Sequence, residues 1–199
     1  RNENTSRGEL NVFNQMAHYL SGHGIGSFRY DKRGCGRSTG DYLAAGHHDF
    51  VSDAEAAVCF LLEKDFGKQS EIFVVGHSEG SLIAPQVAKK QPAVAGILLL
   101  CPFSQPLKQV LKSQAKRTQD DILHLGGIKG RIVKLAISVL GDPVSSQQKL
   151  IRKIEQSTEP CLRHGLKKVN AKWFRDLFEI DMQDAYTNIP CPVLVIGGE

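Results

Sequence analysis

The sequence predicts an α/β fold: a mostly parallel sheet flanked by helices, with an all-helical insertion late in the chain. Three observations lead there. Short apolar runs alternate with helix-period segments through the first hundred residues, and that alternation implies parallel strands joined by right-handed crossovers. The run Ile72–Val75 enters Gly76-His77-Ser78-Glu79-Gly80, and a helix-like segment follows, which is the strand–turn–helix order that lifts a serine hydroxyl above a sheet. After Pro102 the pattern changes, and no clear strand returns until Pro192–Gly197.

The elements follow in order. Val12, Phe13, Met16, Ala17 and Leu20 have helical spacing, and Gly22 and Gly24 can end that helix. Ile25–Tyr30 reads as a strand, and Asp31–Gly40 as a glycine-rich basic loop. Asp49 can cap a helix with Phe50, Ala54, Ala57, Val58 and Leu61 on its apolar face and Gly67 beyond its end. Ile72, Phe73, Val74 and Val75 suit a strand buried on both faces. Leu82, Ile83, Val87 and Ala88 then mark a helix, with a kink expected at Pro85 and with Lys89 and Lys90 where a helix C-terminus favours cations. Gly96–Cys101 is a third strand. Helices are expected at Leu107–Leu125, Ile128–Leu140, Gln147–Gln156 and Leu162–Phe178. Residues 1–103 therefore form a core, 104–188 a helical insertion, and 189–199 a return strand.

Composition narrows the function classes. With 199 residues, 41% hydrophobic and 23% charged, the chain can bury a core and is not a disordered sequence. A net charge of +4 is too slight to suggest nucleic acid, and the longest apolar run, Ala93–Cys101, fits a strand and not a membrane span. Five cysteines, odd in number and never in a C-x-x-C pair, disfavour a disulfide framework or zinc site and point to a reducing, cytoplasmic setting. Cys59 and Cys101 read as small core hydrophobes. The insertion carries 15 Lys+Arg against 9 Asp+Glu, which reads as the solvated faces of surface helices or as a surface attracting anions.

A serine nucleophile needs a histidine to take its proton, a carboxylate to orient that histidine, and two N–H donors for the oxyanion. Ser78 is the candidate nucleophile, and the backbone N–H of Glu79 is one donor. The Glu79 side chain either lines a pocket or faces solvent at a helix start. His77 should face away from Ser78, because neighbouring residues at a strand end point to opposite faces. His18, His23, His47 and His48 precede the serine, and His124 and His164 lie in the insertion; none stands where a base is expected. Lys32, Arg33, Gly34, Cys35, Gly36 and Arg37 could cradle a phosphate or be structural; they match neither G-x-G-x-x-G nor the P-loop. Trp173, Phe174, Leu177 and Phe178 form an apolar helical stripe that packs the insertion onto the core or contacts an acyl chain, making Trp173 and Phe174 candidate substrate residues.

The motifs GHSEG at 76–80, YDKRGCGRSTG at 30–40 and PVLVIGGE at 192–199 together resemble the α/β-hydrolase superfamily. They are most similar to capped bacterial carboxylesterases and serine-aminopeptidase-like hydrolases, as is KWFRDLFEID at 172–181. Ser81 replaces the glycine common at that position, and a small residue should still pack. The resemblance implies a catalytic aspartate soon after Glu199, a histidine some tens of residues later, and a second oxyanion donor just before the segment matching Arg1–Asn4. It therefore implies a partial hydrolase fold cut at both ends, acting on a small-molecule ester without metal or organic cofactor. Amide or peptide hydrolysis on the same machinery stays open. So does a non-catalytic binding protein, should the chain be complete; oligomeric state is not indicated.

Overall fold

The structure, a computed structural model, describes residues 11–64, 71–127, 130–133, 137 and 141–197. The elements that build the core are α1 (Val12–Gly22), α2 (His47–Glu63), β1 (Ile72–His77), α3 (Gly80–Lys90), β2 (Val94–Leu100) and β5 (Val193–Ile196). Between β2 and β5 lie α4 (Leu107–His124), α5 (Pro143–Gln156), β3 (Cys161–His164), β4 (Lys167–Asn170), α6 (Ala171–Phe178) and α7 (Met182–Tyr186).

The main sheet runs β1-β2-β5, all parallel, with Val75 opposite Leu98 and Leu98 opposite Leu194. The helix α3 is the crossover from β1 to β2. Its Ile83, Ala84, Val87 and Ala88 pack with Phe50, Val51 and Val58 of α2 against Ile97 and Leu99 of β2, forming the principal core. Expected strand burial on both faces is corrected: along β1, Ile72 and Gly76 are buried while Phe73 is 53% and Val75 43% exposed. Among the described residues α2 and α3 pack on one face of β1, so side chains that alternate along the strand divide between core and surface.

Ile25–Tyr30, expected as a strand, pairs with no strand among the described residues, and Ile25, Phe28 and Tyr30 are exposed. Residue type supplies β propensity, but a strand also needs a neighbour for its backbone groups. α1 matches its expected limits, with Gly24 at φ +74° after its end. α2 starts at His47, two residues before Asp49. Gly46 is the N-cap, and Asp49 reaches back from the third helical position to accept from the Gly46 N–H at 2.7 Å. Gly67 lies outside the described residues. α3 runs unbroken through Pro85, which is fully buried. All five cysteines are free, Cys59 is partly buried, and Cys101, read as a core residue, is exposed at φ +49° at the end of β2.

The segment between β2 and β5 is not all helical. The stretch 162–178, read as one helix, divides into the β3–β4 hairpin and the shorter α6, with His164 paired to Lys167 across the two-residue turn Gly165-Leu166. Gly165 takes φ +60°, the left-handed geometry a two-residue hairpin needs at its first turn residue. Asn170 then ends the hairpin and caps α6, its Oδ1 accepting from Trp173 N at 2.9 Å. Its amide nitrogen donates to the carbonyls of Tyr42 (2.5 Å) and Ala45 (2.7 Å), so a buried polar side chain fastens α6 to the core. Leu82 of α3 joins Leu107, Leu177 and Ala185 in a second cluster, with Phe174 and Phe178 packed against it. The helix expected at Ile128–Leu140 falls largely outside the described residues, while α4 and α5 match theirs, α5 starting earlier because Asp142 caps it through Ser145 N at 2.9 Å.

Candidate active site

The candidate site begins where β1 ends. Ser78 is exposed and takes φ +52°, a left-handed conformation that residues with a Cβ rarely adopt. Its own N–H is held by Leu100 O at 3.0 Å, extending the β1–β2 pairing by one bond. Its carbonyl receives Ser81 N at 2.9 Å and Ser81 Oγ at 2.6 Å, and that Oγ lies 3.2 Å from the Tyr186 hydroxyl. Ser81, fully buried, thus packs as a small residue and also clamps the turn from the third residue beyond it. Burial pushes the Tyr186 phenol above its ordinary pKa.

The two elbow glycines are not equivalent. A Cβ on Gly76 would come closer than 3.0 Å to the backbone of Gly80 and of Ser81, because α3 starts directly over the strand end. A Cβ on Gly80 would meet nothing within 4 Å. Close approach of backbone to backbone is therefore the reason for glycine at 76.

Glu79 opens α3 in helical conformation, where the first N–H groups of a helix have no intrahelical acceptor. Its backbone N–H is thus free of the helix ladder, one residue beyond Ser78. Its side chain faces neither solvent nor an open pocket; the residue is 8% exposed. One carboxylate oxygen accepts from Lys32 Nζ at 2.6 Å, and the other accepts from the indole Nε1 of Trp173. His47, fully buried, places Nδ1 3.8 Å from that second oxygen, within ion-pair range but too far for a hydrogen bond. Gln86 Nε2 donates to Leu82 O at 3.1 Å and stands 2.9 Å from His47 Nε2. An amide nitrogen only donates, so His47 Nε2 accepts and the imidazole proton sits on Nδ1, facing Glu79.

Burial acts most strongly on Glu79 and by itself would raise its pKa; His47, Lys32 and Trp173 together outweigh it and hold the carboxyl below its ordinary 4.5. A folded-state pKa below the unfolded value makes a stabilising contribution that is complete above about pH 4.5 and is lost as pH falls through the folded value. The thermal midpoint of the protein is therefore expected to fall on acidification below that pH. Glu79→Gln should flatten this part of the profile, and a variant as acid-sensitive as wild type would show that other carboxylates dominate.

The basic loop is structural in its contacts. Arg33 makes a two-point contact with Asp53 (Nε–Oδ2 2.8 Å, Nη2–Oδ1 2.5 Å), and Lys32 is taken up by Glu79. Gly34, Gly36 and Gly40 take positive φ, and a Cβ on Gly34 would run into the Asp41–Tyr42 backbone. A cleft of about 420 Å³ opens beside this loop, lined by Gly34, Cys35, Asp41, Tyr42 and neighbours and not by Ser78.

The structure therefore brings Trp173 onto the side chain of Glu79, the residue that follows Ser78. Phe174 sits edge-on to Trp173 at 4.6 Å between ring centres and faces the second cluster. His77 turns from Ser78 toward α1, edge-on to Phe13 at 5.6 Å. Among the described residues no histidine hydrogen-bonds the Ser78 hydroxyl; His23 and His124 bond carbonyls of their own helices. The positions following Glu199, where the resemblance puts the acid and histidine, and Arg1–Asn4 lie outside the described residues. Lys32, His47, Gln86 and Asn170 escaped sequence reasoning as site-building residues. Only Asn170 carried a local signal, an amide three residues before Trp173 at a helix start. No group of three or more His, Cys, Asp or Glu among the described residues is placed to hold a metal ion.

A parallel sheet whose first crossover carries a serine in a left-handed turn is the arrangement of an α/β hydrolase. The chain belongs to the family described as Serine aminopeptidase, S33, which it matches over residues 8–199. It is 27% identical over 191 residues to esterase EstD of Thermotoga maritima, covering 96% of this chain and 41% of EstD. It thus spans well under half the length of that relative. In structure it is similar to ferulic-acid-bound Est1E from Butyrivibrio proteoclasticus, with TM-score 0.55 and 20% identity over 90% of this chain and 59% of that one. The α/β hydrolase GrgF from Penicillium sp. sh18 is likewise similar, with TM-score 0.53 and 13% identity over 94% of this chain and 76% of that one. No helix among the described residues is long and apolar enough to cross a membrane.

Proposed function

We propose that this chain is the nucleophile-bearing part of a serine hydrolase acting on carboxylic esters, short-chain or small aromatic. Ser78 Oγ attacks the ester carbonyl, and the resulting oxyanion is held by the Glu79 N–H and by a second donor outside residues 1–199. Collapse expels the alcohol and leaves an acyl-enzyme on Ser78, which water then hydrolyses. A histidine oriented by an aspartate, both placed after Glu199 as the resemblance implies, moves the proton from Ser78 to the leaving alcohol. The chemistry uses no metal or organic cofactor. Residues 104–188 form a cap over this site, with Phe174 as a candidate acyl contact and Trp173 beside it.

The observation that carries the reading is Ser78 itself, exposed and held at φ +52° between β1 and α3 in a chain of this family. Strain of this kind survives only where the surroundings impose it, and it is found at functional sites. The esterase name of the relative EstD favours esters. The description of the family as serine aminopeptidases supports a second reading, amide or peptide hydrolysis on the same serine.

The test is activity-based labelling and matched kinetics on the full-length protein. A fluorophosphonate should label Ser78, and p-nitrophenyl esters should turn over at least about tenfold faster in kcat/KM than aminoacyl anilides of the same acyl group. Faster anilide turnover would establish the second reading. An unlabelled Ser78 with saturable ligand binding and no turnover would establish a binding protein instead.

A further inference from the structure

The Glu79 side chain stands out, because nothing in the chemistry above uses it, yet it is the most heavily partnered buried charge near the turn. A carboxylate one residue beyond an exposed nucleophile costs much to desolvate, and a glutamate at a helix start can ordinarily turn to water. Here it turns inward. It meets Lys32 from the basic loop at 2.6 Å, Trp173 Nε1 from α6, and His47 from the start of α2 at 3.8 Å. Three segments far apart in the chain thus converge on one side chain, whose own backbone supplies the N–H proposed for the oxyanion.

The peptide between Ser78 and Glu79 has two holds. Behind it, the Ser78 carbonyl is clamped by Ser81. Ahead of it, the Glu79 carboxylate is anchored at its far end. A rotation of that peptide toward a relaxed conformation would swing residue 79 and break the contacts with Lys32 and Trp173. We propose that the Glu79 carboxylate is a positioning residue: it locks the Ser78–Glu79 peptide in its left-handed turn and ties the aim of the Glu79 N–H to the docking of α6 through Trp173. The segment 171–178 then governs turnover through this latch, as well as through any contact with substrate. The inference rests on Ser78 being the nucleophile.

The experiment uses the full-length protein and compares Ser78→Ala, Glu79→Gln, Trp173→Phe and the double variant Glu79→Gln/Trp173→Phe, with Asp53→Asn as a stability control. Asp53→Asn weakens the Arg33 pair away from the turn, so it lowers the thermal midpoint and leaves kcat within about twofold of wild type. Glu79→Gln should lower kcat and the rate of fluorophosphonate labelling by about 10- to 100-fold, with KM within about threefold, because the N–H acts on the oxyanion and not on bound ester. Trp173→Phe keeps the packing and removes one anchor, and should fall between wild type and Glu79→Gln. The double variant should cost less than the product of the single effects, since both remove one latch. If Glu79→Gln fails to fold, Lys32→Met/Glu79→Gln removes both charges of the pair and carries the same test.

Wild-type kcat and labelling rate in a folded Glu79 variant, with Ser78→Ala inert, overturns the latch and leaves the nucleophile intact. A fall that Asp53→Asn reproduces at equal loss of stability also overturns it, because stability alone would then explain the effect. Turnover surviving in Ser78→Ala removes the nucleophile and the latch together.

Discussion

Gly76→Ala is expected to destroy the elbow, while Gly80→Ala leaves it intact and stabilises the fold by up to about 1 kcal/mol. The added methyl at 76 would come within 3.0 Å of the Gly80 and Ser81 backbones. Neither contact can be relieved by a side-chain rotation. The helix would have to lift from β1, releasing the Ser81 hold on the Ser78 carbonyl and disturbing the packing of Leu82, Ile83 and Val87. Losses of this mechanism reach about 4 kcal/mol or more, a large share of a domain's net stability. At 80 the methyl meets open space at the first helical position, where alanine is favoured over glycine. Chemical denaturation of the two variants in the full-length protein measures the contrast, and equal tolerance at both positions would contradict this account of the turn.

Ser78→Ala is expected to reduce kcat by a factor on the order of 10⁶, the scale seen when the nucleophile of a catalytic serine is removed. Ser78→Gly should be equally inactive but differ in stability. A left-handed residue with a Cβ costs roughly 1–2 kcal/mol, and glycine relieves that while giving back about 0.5–1 kcal/mol of unfolded-chain entropy. The glycine variant should therefore be more stable than wild type by up to about 1.5 kcal/mol. A thermal midpoint that rises for Ser78→Gly and not for Ser78→Ala would show that the native serine is strained. Turnover surviving in both would place the nucleophile elsewhere.

The tight turn that carries Ser78 was legible because its determinants are local. Gly76, Ser78, Glu79 and Ser81 span six positions, and the clash that demands glycine at 76 comes from residues four and five positions later. That the sheet is parallel was likewise readable from the alternation of apolar runs and helices, whereas the β1-β2-β5 order of its strands came only from the fold. What escaped was long-range. The sequence left the Glu79 side chain open between pocket and solvent; its partners Lys32 and Trp173 lie 47 and 94 positions away. The hairpin inside 162–178 was hidden for another reason. Trp173, Phe174, Leu177 and Phe178 carry a true helical period, and it was extended backward over Gly165, whose positive φ marks a hairpin turn.

By itself the sequence determined the family, the order of the core elements, and the place of Ser78 at the top of a strand. The family rests on the resemblance of the motifs at 30–40, 76–80, 172–181 and 192–199, and the rest follows from short-range backbone geometry and apolar periodicity. Tertiary structure alone decided which face of β1 is buried, that Ile25–Tyr30 pairs with no strand among the described residues, and that Glu79 gathers α6 and the basic loop onto the turn. These outcomes depend on which distant surfaces meet. A buried carboxylate keeps its charge only where the fold delivers donors to it, and those donors are scattered along the chain.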